Sequence, residues 1–300
     1  MEPKKFWIKN YKSLRDVTIE FPTRITAVVG PSGSGKTALV EAFEVLRNAQ
    51  LPQASVGSVG IEILNEGCRV AYEVRDRKKA VITDCNVAEV DKAVQAFIDN
   101  IVVIKDINWK AVRSLQPIAR EERLLPDASN FVPFLYTATG GVPDPLVEPL
   151  KYVLPTANDL QFLVDGGALI LKLTTEDGAA LTQATMPSGA LKTLIVEAAL
   201  MMRPTMIVID EFENSLYPEA QQFLIDELRS HGVYAMLATH STVVLDYVKT
   251  PREVVVLHLD GGETKAWRLG GEVEEMLKKH KLTLSELIES GLLEPLVFRL

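Results

Sequence analysis

Residues suited to phosphate chemistry occur in three places. Gly30-Pro31-Ser32-Gly33-Ser34-Gly35-Lys36-Thr37 matches G-x-x-x-x-G-K-[ST] at every fixed position. Glycines at this spacing let backbone N–H groups fold inward around phosphate oxygens without Cβ clashes. The helix expected to follow points its positive end at the same anion. Lys36 is placed to reach the β- and γ-phosphates, and the Thr37 hydroxyl to ligate Mg²⁺. Gly30, Ser32, Gly33, Ser34, Gly35, Lys36 and Thr37 are therefore the candidate nucleotide-binding residues. The second place is Asp210-Glu211, closing the apolar run Met206-Ile207-Val208-Ile209. Asp210 would hold Mg²⁺, directly or through water, and Glu211 would polarise an attacking water as general base. The third is His240, after the apolar run 233–238, where an imidazole can sense a γ-phosphate. Each pattern alone has a plainer reading: a glycine turn, a strand-end carboxylate capping a helix, a loop histidine.

The surrounding pattern must position these groups. Residues 24–30 read as a strand entering the glycine loop, and 37–49 carry apolar residues at helical spacing. Residues 5–9 and 17–21 alternate like two short strands around a polar turn, and 59–64, 68–75 and 80–85 read as strands. Residues 88–100 look helical. The stretch 105–165, rich in Pro and Gly, reads as a helical lobe with loops, followed by a hairpin of 169–175 with 180–185. Thereafter helices at 189–202, 218–230 and 241–249 alternate with strands at 205–210, 233–238 and 253–259. That alternation implies a largely parallel sheet covered by helices. A short strand at 264–268 and helices at 271–280 and 284–291 complete the expectation.

The order of the motifs resembles the ATP-binding-cassette superfamily: the phosphate loop (Walker A), Asp210-Glu211 (Walker B) about 175 residues later, and Thr239-His240 about 30 beyond. Met186-Pro187-Ser188-Gly189-Ala190-Leu191-Lys192 stands where that family carries a Ser/Gly signature opening a helix. The run from Met186 through Pro218, together with Phe6–Phe21, resembles the RecF/SMC-like branch, and most of all the ATPase domains of the overcoming-lysogenization-defect (OLD) group. The resemblance implies an α/β fold of the P-loop NTPase, ABC-ATPase type. It implies a mixed sheet core, N-terminal antiparallel strands and an inserted helical lobe. Residues 1–300 would form one ATPase head. Its nucleotide-binding core would be 1–85 and 183–270, its inserted lobe 86–182, and its C-terminal helices 271–300.

The resemblance further implies ATP and Mg²⁺ as cofactors and an ATP-dependent homodimer. Two chains would pair head to tail around two Mg-ATP, each offering the other Ser188 and Gly189 of its signature. Asn214 and Ser215 would form the crossing D-loop. DNA, a nuclease or another effector protein would be the partner, in DNA maintenance, repair or defence. About 150 residues separate Lys36 from Ser188, and 60 follow His240. Those lengths leave no room for a long coiled-coil arm or an appended nuclease domain, which points to a bare head with a separate effector.

Three positions depart from the pattern. Pro187 fills the usual place of the signature serine and brings neither a hydroxyl nor an N–H. Tyr217 stands where relatives often carry histidine. No metal-coordinating glutamine of the lobe junction can be assigned, with Gln53 the nearest candidate. Two alternatives therefore stay open: the nucleotide-binding subunit of a membrane transporter, and a nucleotide-gated binding module with little hydrolysis.

Other conspicuous residues read as structure. Phe6, Trp7 and Tyr11 alternate as core residues; Lys12 or Ser13 could approach the nucleotide only on the strength of the resemblance. Arg75, Arg77, Lys78 and Lys79 form a solvated turn, with a DNA-backbone contact as the alternative. Lys278, Lys279, His280 and Lys281 complement a helix C-terminus. Cys68 and Cys85 are expected as reduced core thiols. Pairing Arg75 with Lys78 would nonetheless set them opposite each other, close enough for a bond.

Composition bounds the rest. The 300 residues are 47% hydrophobic and 24% charged, an ordinary globular balance. Thirty-two Lys and Arg against 40 Asp and Glu give a net charge of −8, which excludes a chain-wide basic coat for nucleic acid. No apolar stretch is long enough to span a bilayer, and the N-terminus lacks a signal core, so a cytoplasmic protein without membrane insertion is expected.

Overall fold

The computed structural model describes residues 1–51, 57–83 and 87–290. In chain order the elements begin with β1 (Glu2–Tyr11), β2 (Leu14–Glu20), β3 (Ile25–Val29), α1 (Lys36–Arg47), β4 (Ser58–Asn65), β5 (Cys68–Arg75), β6 (Lys78–Thr83) and α2 (Val87–Asp99). The middle of the chain forms β7 (Ile101–Ile104), α3 (Trp109–Arg113), β8 (Gln116–Pro117), α4 (Phe131–Ala138), α5 (Val147–Lys151), β9 (Ala157–Asp165), β10 (Ala168–Thr175) and β11 (Ala180–Thr182). There follow α6 (Ser188–Met201), β12 (Met206–Ile209), α7 (Pro218–Ser230), β13 (Tyr234–Ala238), α8 (Val243–Asp246), β14 (Val254–Asp260), β15 (Glu263–Arg268), α9 (Gly271–His280) and α10 (Leu284–Glu289).

Two compact units share these elements: Met1–Ile101, Thr205–Phe212 and Tyr234–Leu300 form the first, and Val102–Pro204 with Glu213–Val233 the second. The first unit holds two sheets. One is antiparallel, in the order β2-β1-β4-β5-β6. The other runs β15-β14-β3-β13-β12, with β14, β3, β13 and β12 mutually parallel and β15 antiparallel at the edge. β3, β12 and β13 are buried at every position, as expected for parallel strands covered on both faces. α1 packs against both sheets. Phe6 of β1 stacks on Phe43 of α1 with ring centroids 3.8 Å apart. Phe6 and Tyr11 are core residues, as their alternation predicts. Trp7 covers Gly60 of the paired strand β4, where a Cβ would collide with the indole.

The second unit differs from the helical lobe expected over 105–165. Its helices α3, α4 and α5 are joined by an antiparallel sheet in which β10 pairs with β8, β9 and β11. β9 meets β10 through Asp165 and Ala168 around Gly166 and Gly167, both at positive φ (55° and 83°). A Gly-Gly pair between two apolar runs is a hairpin signal, which the Pro- and Gly-rich context obscured. The unit boundaries also differ from the expected 86–182. Residues 87–101 belong to the first unit, while α6 and α7 belong to the second, because α6 packs on α4, α5 and α7. α6 is buried from Gly189 through Leu200, all round the helix.

The β5–β6 register sets Arg75 opposite Lys78 and Val70 opposite Thr83, as expected. Cys68 is disulfide-bonded rather than the reduced thiol expected; it sits two residues beyond a paired position at the open end of this hairpin. Cys85 and Gln53 lie outside the described residues.

Two predictions follow from the packing. Phe43 is fully buried, so Phe43→Ala should lower stability by about 3–5 kcal/mol in urea unfolding; a loss under 1 kcal/mol would show that the stack is dispensable. Glu197 of α6 is buried, its Oε1 has no hydrogen-bond partner, and burial, with Glu227 of α7 nearby, pushes its carboxyl up to about 7. An acid with a raised folded-state pKa holds extra protons when folded, so it stabilises most below its ordinary value and loses that contribution as pH rises through the folded one. Melting temperature should therefore decline between about pH 4.5 and 7, and Glu197→Gln should flatten that slope. Identical profiles for variant and wild type would refute the assignment.

Candidate functional site

The phosphate-loop residues occupy the turn from β3 into α1. α1 begins at Lys36, and its N-cap Gly35 lies at φ 101° with no side-chain cap and no acidic residue in the first turn. The first N–H of the helical ladder is that of Leu39, which donates to Gly35 O at 2.9 Å. The N–H groups before it point out of the helix end, a dipole-backed site for an anion. Two glycines are sterically required. At Gly30 (φ 156°) a Cβ would run into the Leu257 carbonyl of β14. At Gly35 it would meet Thr264 Oγ1 of β15 at 2.5 Å. The loop thus closes against the β14–β15 hairpin, more than 200 residues away in sequence. Lys36 is buried, its Nζ donating to Gly30 O at 2.7 Å and Pro31 O at 3.0 Å, so the ammonium is held inside the loop's curve. Ser34 is buried beneath it, while Ser32, Gly33 and Thr37 are exposed.

The parallel register carries the other predicted groups to the same edge of the sheet. Val28 of β3 lies opposite Ala238 of β13, and Leu237 of β13 opposite Ile209 of β12. The residues leaving these strand ends are Gly30, Thr239-His240 and Asp210-Glu211. The carboxyl edge of a parallel sheet is where open α/β folds bind ligands. Asp210 is buried, and its Oδ1 accepts the Glu211 N–H at 3.1 Å. Glu211 is exposed and left-handed, at φ 47°. Such a conformation is uncommon for a non-glycine residue and gathers at functional sites. The next residue is fixed: Phe212 is fully buried and its N–H donates to Ala238 O at 3.0 Å. His240 is exposed, between Thr239, whose N–H donates to Val28 O at 3.0 Å, and Ser241, whose N–H donates to Thr239 Oγ1 at 2.9 Å.

The residues fit the group they are expected to bind. The glycine cradle has no room for a side chain at two points, the helix end lacks a protein cap, and a lysine ammonium lies within the curve. The Thr37 hydroxyl and Asp210 carboxylate are hard oxygen donors of the kind Mg²⁺ takes beside phosphate oxygens. Beside the loop, Lys12 pairs with Glu41 of α1, and Tyr11 donates to the same carboxylate at 3.2 Å. Burial, then the charge of Glu41, pushes the Tyr11 phenol up.

The second unit brings together the residues expected as signature and D-loop. Ser188 is the first residue of α6 and Pro187 its N-cap, with no side-chain cap bond. Gly189 is buried against the backbone at Ser215: a Cβ there would come within 2.5 Å of Ser215 O. Asn214 and Ser215 are exposed, and Ser215 is left-handed at φ 68°. Two residues missed in the sequence hold this arrangement. Lys192, buried, donates to Asn214 O at 3.0 Å. Arg113 of α3 donates to Ala184 O at 3.0 Å, Met186 O at 2.9 Å and Ser188 Oγ at 3.0 Å. A lysine inside a largely apolar helix could have been noticed. Arg113 carries no local signal, because its partners lie more than 70 positions away.

Three solved structures share the fold over nearly the whole chain. The SMC head domain from Thermotoga maritima aligns at TM-score 0.56 and 15% identity, covering 90% of this chain and 100% of that one. An SMC head bound to the C-winged helix domain of ScpA aligns at 0.65 and 17%, covering 92% and 100%. An SMC head with an extended coiled coil, bound to the C-terminal domain of ScpA and derived from Pyrococcus furiosus, aligns at 0.65 and 12%, covering 94% and 100%. The expected class, an α/β P-loop ATPase with a mixed sheet core, is therefore the observed one. An AAA domain model whose description refers to an AbiEii toxin and a Type IV TA system matches residues 110–246. The AAA ATPase domain model matches residues 1–150, half of the sequence, and with the phosphate loop lying inside that match, the chain belongs to the AAA ATPase domain family.

Proposed function

We propose that this protein binds and hydrolyses ATP as a head-to-tail dimer of the RecF/SMC-like kind, akin to the ATPase domains of the OLD group. The observation that carries this reading is the convergence of the glycine cradle, Asp210, Glu211 and His240 on one carboxyl edge of the parallel sheet. The loop N–H groups and Lys36 bind the β- and γ-phosphates. Thr37 and Asp210 would hold Mg²⁺, which neutralises charge on the phosphate oxygens. Glu211 orients a water against the γ-phosphorus and takes its proton, while the bond from that phosphorus to the bridging oxygen breaks and ADP leaves. His240 donates to a γ-phosphate oxygen and registers its loss. Ser188 and Gly189 of a second copy cap the γ-phosphate from the far side, and Asn214 and Ser215 line the crossing between the two sites.

SMC heads of this fold have been solved bound to ScpA domains, and the proposed partner here is likewise a separate protein, a nuclease or another effector, or DNA. The net charge of −8 confines any DNA contact to a local patch such as the Arg75–Lys79 turn. Among the described residues, no helix is long and apolar enough to cross a membrane. A second reading, a nucleotide-gated module with little turnover, is favoured by one observation: Pro187 stands in the place of the signature serine and brings neither a hydroxyl nor an N–H.

Two variants separate these readings. Lys36→Ala removes charge-assisted phosphate contacts and should weaken ATP affinity by about 10- to 100-fold by calorimetry; unchanged affinity would remove the loop from the site. Glu211→Gln should keep ATP bound, cut turnover by about 10²- to 10⁴-fold and accumulate a dimer in size-exclusion chromatography with Mg-ATP, run with and without duplex DNA. Wild-type turnover in Glu211→Gln would refute the base assignment. A wild type that binds ATP without releasing phosphate would establish the gated module.

A further inference from the structure

Thr264 is the point at which three distant segments meet. It lies on β15 and is 1% exposed. Its N–H donates to Ser13 O at 2.8 Å, in the turn between β1 and β2. Its Oγ1 is 2.7 Å from Ser13 Oγ and 3.0 Å from Ser34 O, inside the phosphate loop. The same oxygen fills the space that a side chain at residue 35 would need. A hydroxyl has one proton, and the Ser34 carbonyl can only accept. Thr264 Oγ1 is the donor to both, so its proton is shared between the Ser13 hydroxyl and the Ser34 carbonyl of the loop.

The consequence lies in the peptide that this bond grips. In a planar trans peptide the C=O of one residue and the N–H of the next point in opposite directions. Drawing the Ser34 carbonyl toward β15 turns the Gly35 N–H the other way, off the face the loop shows to β15. Gly35 sits at φ 101°, a region that glycine shares with several neighbouring conformations. The residue that most needs an external hold on its peptide is thus the one Thr264 touches. We infer that Thr264 is a positioning residue for phosphate binding: by holding the Ser34–Gly35 peptide in one orientation it presents the Gly35 N–H to the bound phosphate. The inference rests on the proposed nucleotide site and adds a residue from the C-terminal hairpin to it.

Valine at 264 keeps the branched shape and removes the hydroxyl. Mg-ADP and Mg-ATP affinity would be measured by calorimetry for wild type, Thr264→Val, Thr264→Ser and Ser13→Ala, with melting temperature recorded alongside. Thr264→Val should weaken both nucleotides by about three- to tenfold, the worth of one neutral hydrogen bond. Thr264→Ser should restore affinity to within about twofold, and Ser13→Ala, which leaves the Thr264 proton to the Ser34 carbonyl alone, should keep wild-type affinity or tighten it slightly. Steady-state turnover should show the loss in KM, with kcat held. Wild-type affinity in Thr264→Val, or a loss in Thr264→Val that Thr264→Ser does not restore, would overturn the inference while leaving the nucleotide site standing. A wild type that binds neither nucleotide would overturn the site itself and this role with it.

Discussion

An α-helix that starts on a left-handed glycine, with no side chain capping it, presents N–H groups outside its own hydrogen-bond ladder. In this protein that end belongs to α1, and the first unit is built to keep it open. β3 delivers the chain from a fully buried strand. α1 is wedged between the antiparallel and parallel sheets, with Phe43 stacked on Phe6. β14 and β15 press so closely on the loop that Gly30 and Gly35 tolerate no side chain. Each contact fixes the loop from outside and none caps the helix end. The open helix end is thus what close packing leaves when every other direction is filled.

The same geometry explains how few residues can carry the chemistry. Parallel strands in register deliver their ends to one line, and whatever follows Ile209 and Ala238 must emerge beside the loop. The two emerging segments are anchored differently. At the β12 end, Asp210 is buried and Phe212 is tied to Ala238 O, while Glu211 between them sits exposed at φ 47°. At the β13 end, Thr239 is tied to Val28 O and His240 is left exposed. In both, a side chain is left exposed beside a neighbour whose backbone is tied down. Strain of this kind is sustained only where the flanking structure over-determines the backbone.

How much of this the sequence disclosed follows from the range of the interactions. The phosphate loop, the acidic strand and the helix 218–230 are written in local spacing, so their places could be read directly. The fold class came from the alternation of strands and helices and held. The lobe was harder. β9 and β10 meet around Gly166-Gly167, a legible hairpin, but β9 ends in the run Phe162-Leu163-Val164, which does not alternate and in which Leu163 and Val164 are exposed. α6 looks like any buried helix of the core, and its place in the second unit depends on α4 and α5, which no periodicity in α6 announces. Cys68 was expected as a reduced thiol and is disulfide-bonded. Arg113, Lys192 and Thr264 act across 22 to 251 positions, beyond the reach of any motif.

Pro187 shows why this matters for chemistry. Read as sequence, it is a defect, a signature without its serine hydroxyl or its N–H. In the structure the loss is set within a locally rigid arrangement. Pro187 fixes its own φ at −55° as the N-cap of α6. Arg113 clamps the carbonyls of Ala184 and Met186 on one side and the Ser188 hydroxyl on the other. Gly189 and Lys192 seal the helix onto the backbone of Asn214 and Ser215. A flexible serine would need ordering on ligand binding, whereas a proline flanked by an arginine clamp is already ordered. On the proposed reading, this chain has exchanged a hydroxyl donor for pre-organisation. Its signature would act through the end of α6 and the Ser188 hydroxyl rather than through the residue at 187. The Ser188 hydroxyl accepts from Arg113 and keeps its own proton to give, so the clamp holds Ser188 in place without consuming the group a γ-phosphate would need.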